Sequence, residues 1–304
     1  MKAVGVGVRL LVLALAAALL LPLQFLSVRA GWCLAERIPV VFHRLLLRLV
    51  RVRVVVRGTP PQPGRAALVL ANHVSWMDIP VLGSLLPVSF VAKSEVAGWP
   101  VVGLLARMQR CIFIDRARKS HTTHVNTEVA HRLARGDLIV LFPEGTTGDG
   151  NRLLPFRSSL VGAARAALTE PTLERIDLQP LAVVYVRRNG LPVTRRERPA
   201  IAWYGDMELA PHLAAFVRAG SVDAVVQWGE PIPFDSASDR KRATTAAEAA
   251  VRSAVQEAAR LGGEILRPVA KGRSAPSSAA SPAPSAVPLA VPLEPAKVYD
   301  SAVR

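Results

Sequence analysis

Apolar residues in this chain first run almost unbroken and then alternate with polar ones. From Leu10 to Val28 the only polar side chains are Gln24 and Ser27. At about 1.5 Å per residue, a helix over this run spans roughly the 30 Å hydrocarbon core of a bilayer, with Pro22 as the expected point of kinking. Such a run reads either as a membrane anchor or as a cleaved signal peptide. Lys2 and Arg9 would be the basic start of a signal, and "VRAG" a poor cleavage site. Flanking charge favours the anchor. Arg29, Arg37, Arg44, Arg48, Arg51, Arg53, Arg57 and Arg65 follow the run, with only Glu36 against them before Asp78. Basic residues so placed hold the following chain on the cytoplasmic side.

The segment "PVVFHRLLLRLVR", from Pro39, puts Arg44, Arg48 and Arg51 at i, i+4 and i+7 on one helical face. Val40, Val41, Leu45, Leu46, Leu47 and Leu49 fill much of the rest. The pattern fits an interfacial helix on acidic lipid, and equally a core-packed helix with a solvated arginine face. Its place after an anchor favours the membrane.

From Val52 the pattern becomes short apolar runs separated by helical stretches. "VRVVV" and "AALVL" read as strands either side of the turn "TPPQPG". Further strands are expected at Ser89–Ala92, Cys111–Ile114, Leu138–Phe142, Leu181–Val186 and Ala224–Gln227. Helices are expected at Ile79–Leu86, Val101–Met108, Thr122–Ala134, Ser158–Leu168 and Ala243–Leu261. This alternation predicts an α/β domain, a mostly parallel sheet flanked by helices. Ligands of such sheets gather at the carboxyl ends of the strands. There is no internal repeat. From about Lys271 the chain is rich in Pro, Ala and Ser, a composition that cannot pack a core. The chain therefore divides into an anchor (1–30), an amphipathic Arg-rich helix (31–51), an α/β domain (52–266) and a disordered tail (267–304).

Composition narrows the partners. Lys plus Arg number 38 against 23 acidic residues, a formal net charge of +15, which suits an anionic partner. Aromatics are 5% of residues, thin for base stacking, and they do not interleave with arginine, which argues against nucleic acid. An apolar fraction of 51% points instead to anionic membrane lipid. Cys33 and Cys111 lie outside any CxxC, so neither a disulfide framework nor a zinc site is indicated, and no other metal site is expected.

Candidate chemistry sits where expected strands end. "ANHVSWMDIP" follows "AALVL" and places His73 and Asp78 at the mouth of the sheet. On a continuous helix they would point about 140° apart, so a turn has to bring them together. Either Ser75 caps the next helix with Asp78 as a capping-box acid, or Asp78 is itself the cap. The second keeps Pro80 in the first turn and is preferred. In both, His73 stays in the loop and can fold back onto the Asp78 carboxylate, which would fix its tautomer and leave the other ring nitrogen as a base. Taken alone, the pair also fits a helix cap beside a turn histidine. "CIFIDR" ends in Asp115 and Arg116, whose guanidinium offers a fork for phosphate, or else forms a rim ion pair. "LIVLFPEGTTGDG" ends in Glu144, Gly145 and Thr146, in a loop whose N–H groups and hydroxyls can cradle an anion. There is no G-x-S-x-G elbow and no P-loop lysine.

"NHVSWMD", "IFIDR", "FPEGTT" and "LQPLAVVY", in this order, resemble the four motif blocks of the glycerophospholipid acyltransferase family, over roughly Val52 to Pro233. The bacterial 1-acyl-sn-glycerol-3-phosphate acyltransferases are similar. The resemblance implies an acyltransferase without a cofactor, in which acyl-CoA or acyl carrier protein donates a fatty acyl group to a lysolipid. It implies His73 as the base, Asp78 as its orienting acid and Arg116 as a contact to the acceptor's phosphate. Glu144, Gly145 and Thr146 would shape the acceptor site, Pro180 matches the fourth block, and Lys93 is a further substrate contact. Lysophosphatidate is the first expected acceptor, and the cell inner membrane, with the catalytic domain facing the cytoplasm, the expected location. One position departs from the pattern: Thr147 stands where the family commonly has arginine, with Arg152 and Arg157 as possible replacements. "EGTTGDG" also resembles acyltransferases of lyso-ornithine lipid, which has no phosphate. A non-catalytic lipid-binding or lipid-transfer protein is the alternative of another class, and would not need His73.

Overall fold

The structure, a computed structural model, describes residues 2–62, 64–115, 119–169, 173–261 and 297–298. Two helices lead: α1 (Lys2–Ala30) and α2 (Leu34–Val50). α1 runs through Pro22 without interruption. Its stretch Gly7–Ala30 is 24 residues long with mean hydropathy 2.4, long and apolar enough to cross a membrane.

Gln24 and Ser27, the two polar residues between Leu10 and Val28, are buried against the protein. Gln24 Nε2 donates to Ala35 O at 2.9 Å and to Met108 O at 2.7 Å. The first bond answers a defect in α2. Pro39 lies inside that helix and has no N–H for the carbonyl four residues back, and Gln24 supplies the missing donor. α2 buries Ala35, Ile38, Val40, His43, Leu47 and Val50. Its arginine face is not wholly turned outward, because Arg44 Nε donates to Ser84 O at 2.8 Å. The helix read as interfacial thus packs one side on the body of the protein.

The sheet is built from β1 (Val52–Arg57), β2 (Ala67–Ala71), β3 (Ser89–Lys93), β4 (Ile112–Ile114), β5 (Leu138–Leu141), β6 (Arg175–Arg188), β7 (Leu191–Pro192), β8 (Val222–Trp228), β9 (Ile232–Asp235) and β10 (Lys297–Val298). Its spatial order is β10-β1-β8-β6-β2-β5-β3-β4, with β7 and β9 also paired to β6. From β6 to β4 neighbouring strands are parallel, and β8 is antiparallel to β6. The remaining helices are α3 (Asp78–Gly83), α4 (Val102–Met108), α5 (Lys119–Ala134), α6 (Gly162–Ala167), α7 (Leu209–Ala219) and α8 (Arg240–Leu261). One face of the sheet packs on α2, α3 and α7 through Leu47, Val81 and Phe216. The other packs on α5, α6 and α8 through Val129, Ala164 and Val251. The expected tail lies outside the described residues apart from Lys297–Val298, which pair with β1.

β6 starts six residues before the expected Leu181. Asp177, Gln179 and Pro180 interrupt the apolar run, yet each has a place within the strand. Asp177 holds Arg65 at 2.6 Å and Arg175 at 3.2 Å. Gln179 Nε2 donates to Gly229 O at 2.5 Å. Pro180 falls between the end of the β9 pairing at Leu178 and the start of the β8 pairing at Leu181, where no ladder N–H is needed. Ala71 at the end of β2 lies opposite Leu181, so β6 continues to Arg188 as a wall beyond the strand end. α7 and β9 are not among the elements the sequence pattern predicts, and each contains a proline, Pro211 and Pro233.

Candidate active site

Asn72, the first residue past β2, is locked to the wall of β6. Its Nδ2 donates to Val183 O at 2.9 Å, and its Oδ1 accepts from Val183 N at 2.7 Å. His73 therefore leaves the sheet at a set point. The loop after β5 grips its backbone from the other side. His73 N donates to Glu144 Oε1 at 2.7 Å, Glu144 Oε2 accepts from Leu154 N at 2.8 Å, and Gly148 N donates to His73 O at 2.9 Å. The ring stacks on Phe142 with centroids 4.0 Å apart and planes 13° from parallel.

His73 Nδ1 lies 2.8 Å from Asp78 Oδ2. The same oxygen accepts from Val74 N at 2.7 Å and Ser75 N at 3.0 Å. The phenol of Tyr185, on the β6 wall, donates to Asp78 Oδ1 at 2.6 Å. A carboxylate that accepts from its neighbours calls for a donor at Nδ1, which leaves the lone pair on Nε2. Asp78 is fully buried. Burial, then the Asp78 charge, lifts the Tyr185 phenol well above its ordinary range.

Asp78 is not the cap that the sequence favours. It is the first residue of α3, and its carboxylate reaches back to the Ser75 N–H as the acid of a capping box. The reciprocal half is absent, since the buried Ser75 Oγ has no partner among the described residues. Pro80 is accommodated because the preceding turn is tight. Asp78 N bonds Ser75 O, Ile79 N bonds Trp76 O, and i to i−4 bonding begins with Val81 N to Met77 O.

The other expected residues are placed unevenly. Glu144 is buried, and burial pushes its carboxyl up to about 7, against the two backbone donors and with help from Asp78 and Glu248. Gly145 takes φ +76° and turns the chain with its N–H on Phe142 O. Thr146 is exposed. Lys93 is exposed at the carboxyl end of β3. Pro180 lies inside the sheet opposite Leu70, packed against Gly229, and does not face the His73 region. Arg116 lies outside the described residues. A cavity of about 200 Å³ is lined by His73, Glu144, Tyr185 and Arg152, but not by Arg157. Sequence reasoning missed Asn72, Phe142 and Tyr185. All three stand inside the quoted motif blocks, and Tyr185 closes the fourth, but nothing in a linear pattern says which side chain turns inward.

Replacing Asn72 with alanine removes both bonds to Val183 and strands buried backbone groups. It is expected to cost about 2–4 kcal/mol of folding stability, read from denaturant midpoints at unchanged slope, together with lower kcat from a displaced His73.

Comparison with known proteins adds a family. The sequence matches the family described as Acyltransferase over residues 53–184. It is 44% identical over 248 residues to a lyso-ornithine lipid O-acyltransferase of Brucella abortus (strain 2308), covering 81% of this chain and 91% of that protein. To a 1-acyl-sn-glycerol-3-phosphate acyltransferase of Neisseria gonorrhoeae it is 39% identical over 108 residues, 35% of this chain and 42% of that protein. In fold it is similar to the crystal structure of the 1-acyl-sn-glycerophosphate (LPA) acyltransferase, PlsC, from Thermotoga maritima. The TM-score is 0.56 at 18% identity, over 85% of this chain and 98% of that one.

Proposed function

The chain belongs to the acyltransferase family, and on that premise we propose that it transfers a fatty acyl group to the free hydroxyl of lyso-ornithine lipid. The observation that carries this reading is the length of the likeness. The relative from Brucella abortus named for that substrate matches across nearly its whole chain, whereas the relative from Neisseria gonorrhoeae named for 1-acyl-sn-glycerol-3-phosphate matches over about a third of this one. Thr147 agrees with it. The cation expected there for a phosphate is absent, and an acceptor without phosphate has less need of it. Lysophosphatidate, the acceptor first expected from the motif blocks, becomes the second reading.

In the proposed reaction, Nε2 of His73 takes the proton from the acceptor hydroxyl. The oxygen attacks the carbonyl of an acyl thioester, carried on CoA or on acyl carrier protein. The tetrahedral intermediate collapses with loss of the thiolate, which takes the proton back from the imidazolium. Asp78 holds the ring and balances its transient positive charge, Tyr185 and the N–H groups of Val74 and Ser75 hold Asp78, and Phe142 supports the ring face. Glu144 acts at one remove, by fixing the His73 backbone. α1 would keep this site at the cytoplasmic face of the inner membrane, where an amphiphilic acceptor resides.

One measurement separates the two acceptors. The purified enzyme receives lyso-ornithine lipid and lysophosphatidate with the same acyl donor, and kcat/KM is compared. A preference for lyso-ornithine lipid of tenfold or more, about 1.4 kcal/mol of transition-state binding, is expected. An equal preference for lysophosphatidate would overturn the assignment while leaving the chemistry intact.

A further inference from the structure

The cavity beside His73 carries more positive charge than the proposed chemistry uses. Arg152, Arg198 and Arg252 all line it. None belongs to the four motif blocks. They come from three separate stretches of chain: the loop after β5, the short turn at Arg198–Ala200, and α8.

Their partners differ. Arg252 Nη2 is held by Glu248 Oε1 at 2.7 Å, and Glu248 Oε2 also accepts from Phe156 N at 2.9 Å. The guanidinium groups of Arg152 and Arg198 have no acidic or hydrogen-bonding partner among the described residues. Arg152 is exposed, but Arg198 is half-buried, and a half-buried cation without a counter-charge is costly to keep. The acidic residue on the cavity wall, Glu144, is occupied by two backbone N–H groups. Gly150 allows the close approach that places these groups together. At φ +78°, an added Cβ would meet Arg198 Cβ at 3.5 Å and Val74 Cγ1 at 3.3 Å, so the loop rests on Arg198 and on the residue after His73. A second unsatisfied group is on the same wall. Asn151 faces Asp149 with its Nδ2 and N–H, and its buried Oδ1 has no partner among the described residues.

We propose that Arg152 and Arg198, backed by Arg252, form an oxyanion subsite beside the candidate base, for a ligand that also offers a hydrogen-bond donor to Asn151. Guanidinium groups suit carboxylate and phosphate equally, through paired N–H donors. On the reading given under Proposed function, on which this inference rests for its ligand, the oxyanion is the α-carboxylate of the acceptor, and the amide N–H or the δ-ammonium of the same head group is the donor. The phosphate of the phosphopantetheine arm of an acyl donor has the same chemistry and is the other source.

The test is steady-state kinetics on Arg198→Ala, Arg198→Lys, Arg152→Ala and the Arg152/Arg198 double alanine variant, with the exposed Arg242→Ala as a control off the cavity wall. Each is assayed against varied lyso-ornithine lipid at saturating donor, then against varied donor at saturating acceptor. The expected result is a KM for acceptor raised tenfold or more in each single alanine variant and further in the double, with kcat within about threefold, partial recovery in Arg198→Lys, and an unchanged control. A rise confined to the donor's KM assigns the same subsite to the donor phosphate. KM values within twofold of wild type for both substrates, in variants whose melting temperatures match wild type, overturn the subsite. The function and the subsite can fail separately. If the wild-type enzyme prefers lysophosphatidate, the same variants are measured with that phosphate-bearing acceptor, and a flat KM there still rejects the subsite.

Discussion

His73→Ala is expected to lower kcat by about 10²–10⁴ while leaving the protein folded and bound to membranes. A positioned general base contributes about 10²–10⁴ in rate, and among the described residues no other histidine lines the cavity to take over the proton. The fold should tolerate the change. The side chain is 18% exposed, its backbone bonds to Glu144 and Gly148 do not depend on the ring, and Asp78 keeps three other donors. The measurement is single-turnover acyl transfer from a labelled acyl thioester, with the melting temperature taken in parallel. Activity within a few-fold of wild type would remove His73 from the chemistry and would favour the alternative in which this fold only binds or carries lipid.

Asp78→Asn is expected to cost about 10²–10³ in kcat, or roughly 3–4 kcal/mol of barrier, the size of effect that follows the loss of one preorganised electrostatic partner of the transition state. The geometry here makes the substitution informative. The asparagine oxygen can take the place of Oδ2 and accept from His73 Nδ1, Val74 N and Ser75 N. Its NH₂ then faces the Tyr185 oxygen, which can accept in turn. The tautomer of His73 would survive, so the loss reports mainly the missing negative charge opposite the imidazolium. KM for the acceptor should change little. If Asp78 served only to shape the turn before α3, kcat of the folded variant would stay near wild type, and the effect would appear as about 1 kcal/mol in stability.

The sequence by itself carried the class of protein and the pairing of His73 with Asp78. Strand–helix alternation gave the α/β sheet because burial on two faces demands apolar runs at that spacing. His73 and Asp78 were legible because a titratable pair sits between an apolar strand and a proline-marked helix start. The long apolar run of α1 was legible from length alone. Gln24, by contrast, looked like a blemish in that run, and only the packed structure shows it repairing the carbonyl that Pro39 leaves open in α2. Asp78 was expected as a helix cap because the place of Pro80 outweighed the capping box; in the structure its carboxylate takes the nearby Val74 and Ser75 N–H groups and the distant Tyr185 hydroxyl. Tyr185 and Asn72 are more than a hundred positions apart in sequence, and one clasps Asp78 while the other clasps Val183. The meeting of Arg152, Arg198 and Arg252 at one cavity is of the same kind. Periodicity records which way a residue faces relative to its own element, and the identity of its neighbours across the sheet is decided only when β6 runs past the end of β2 and brings distant stretches together.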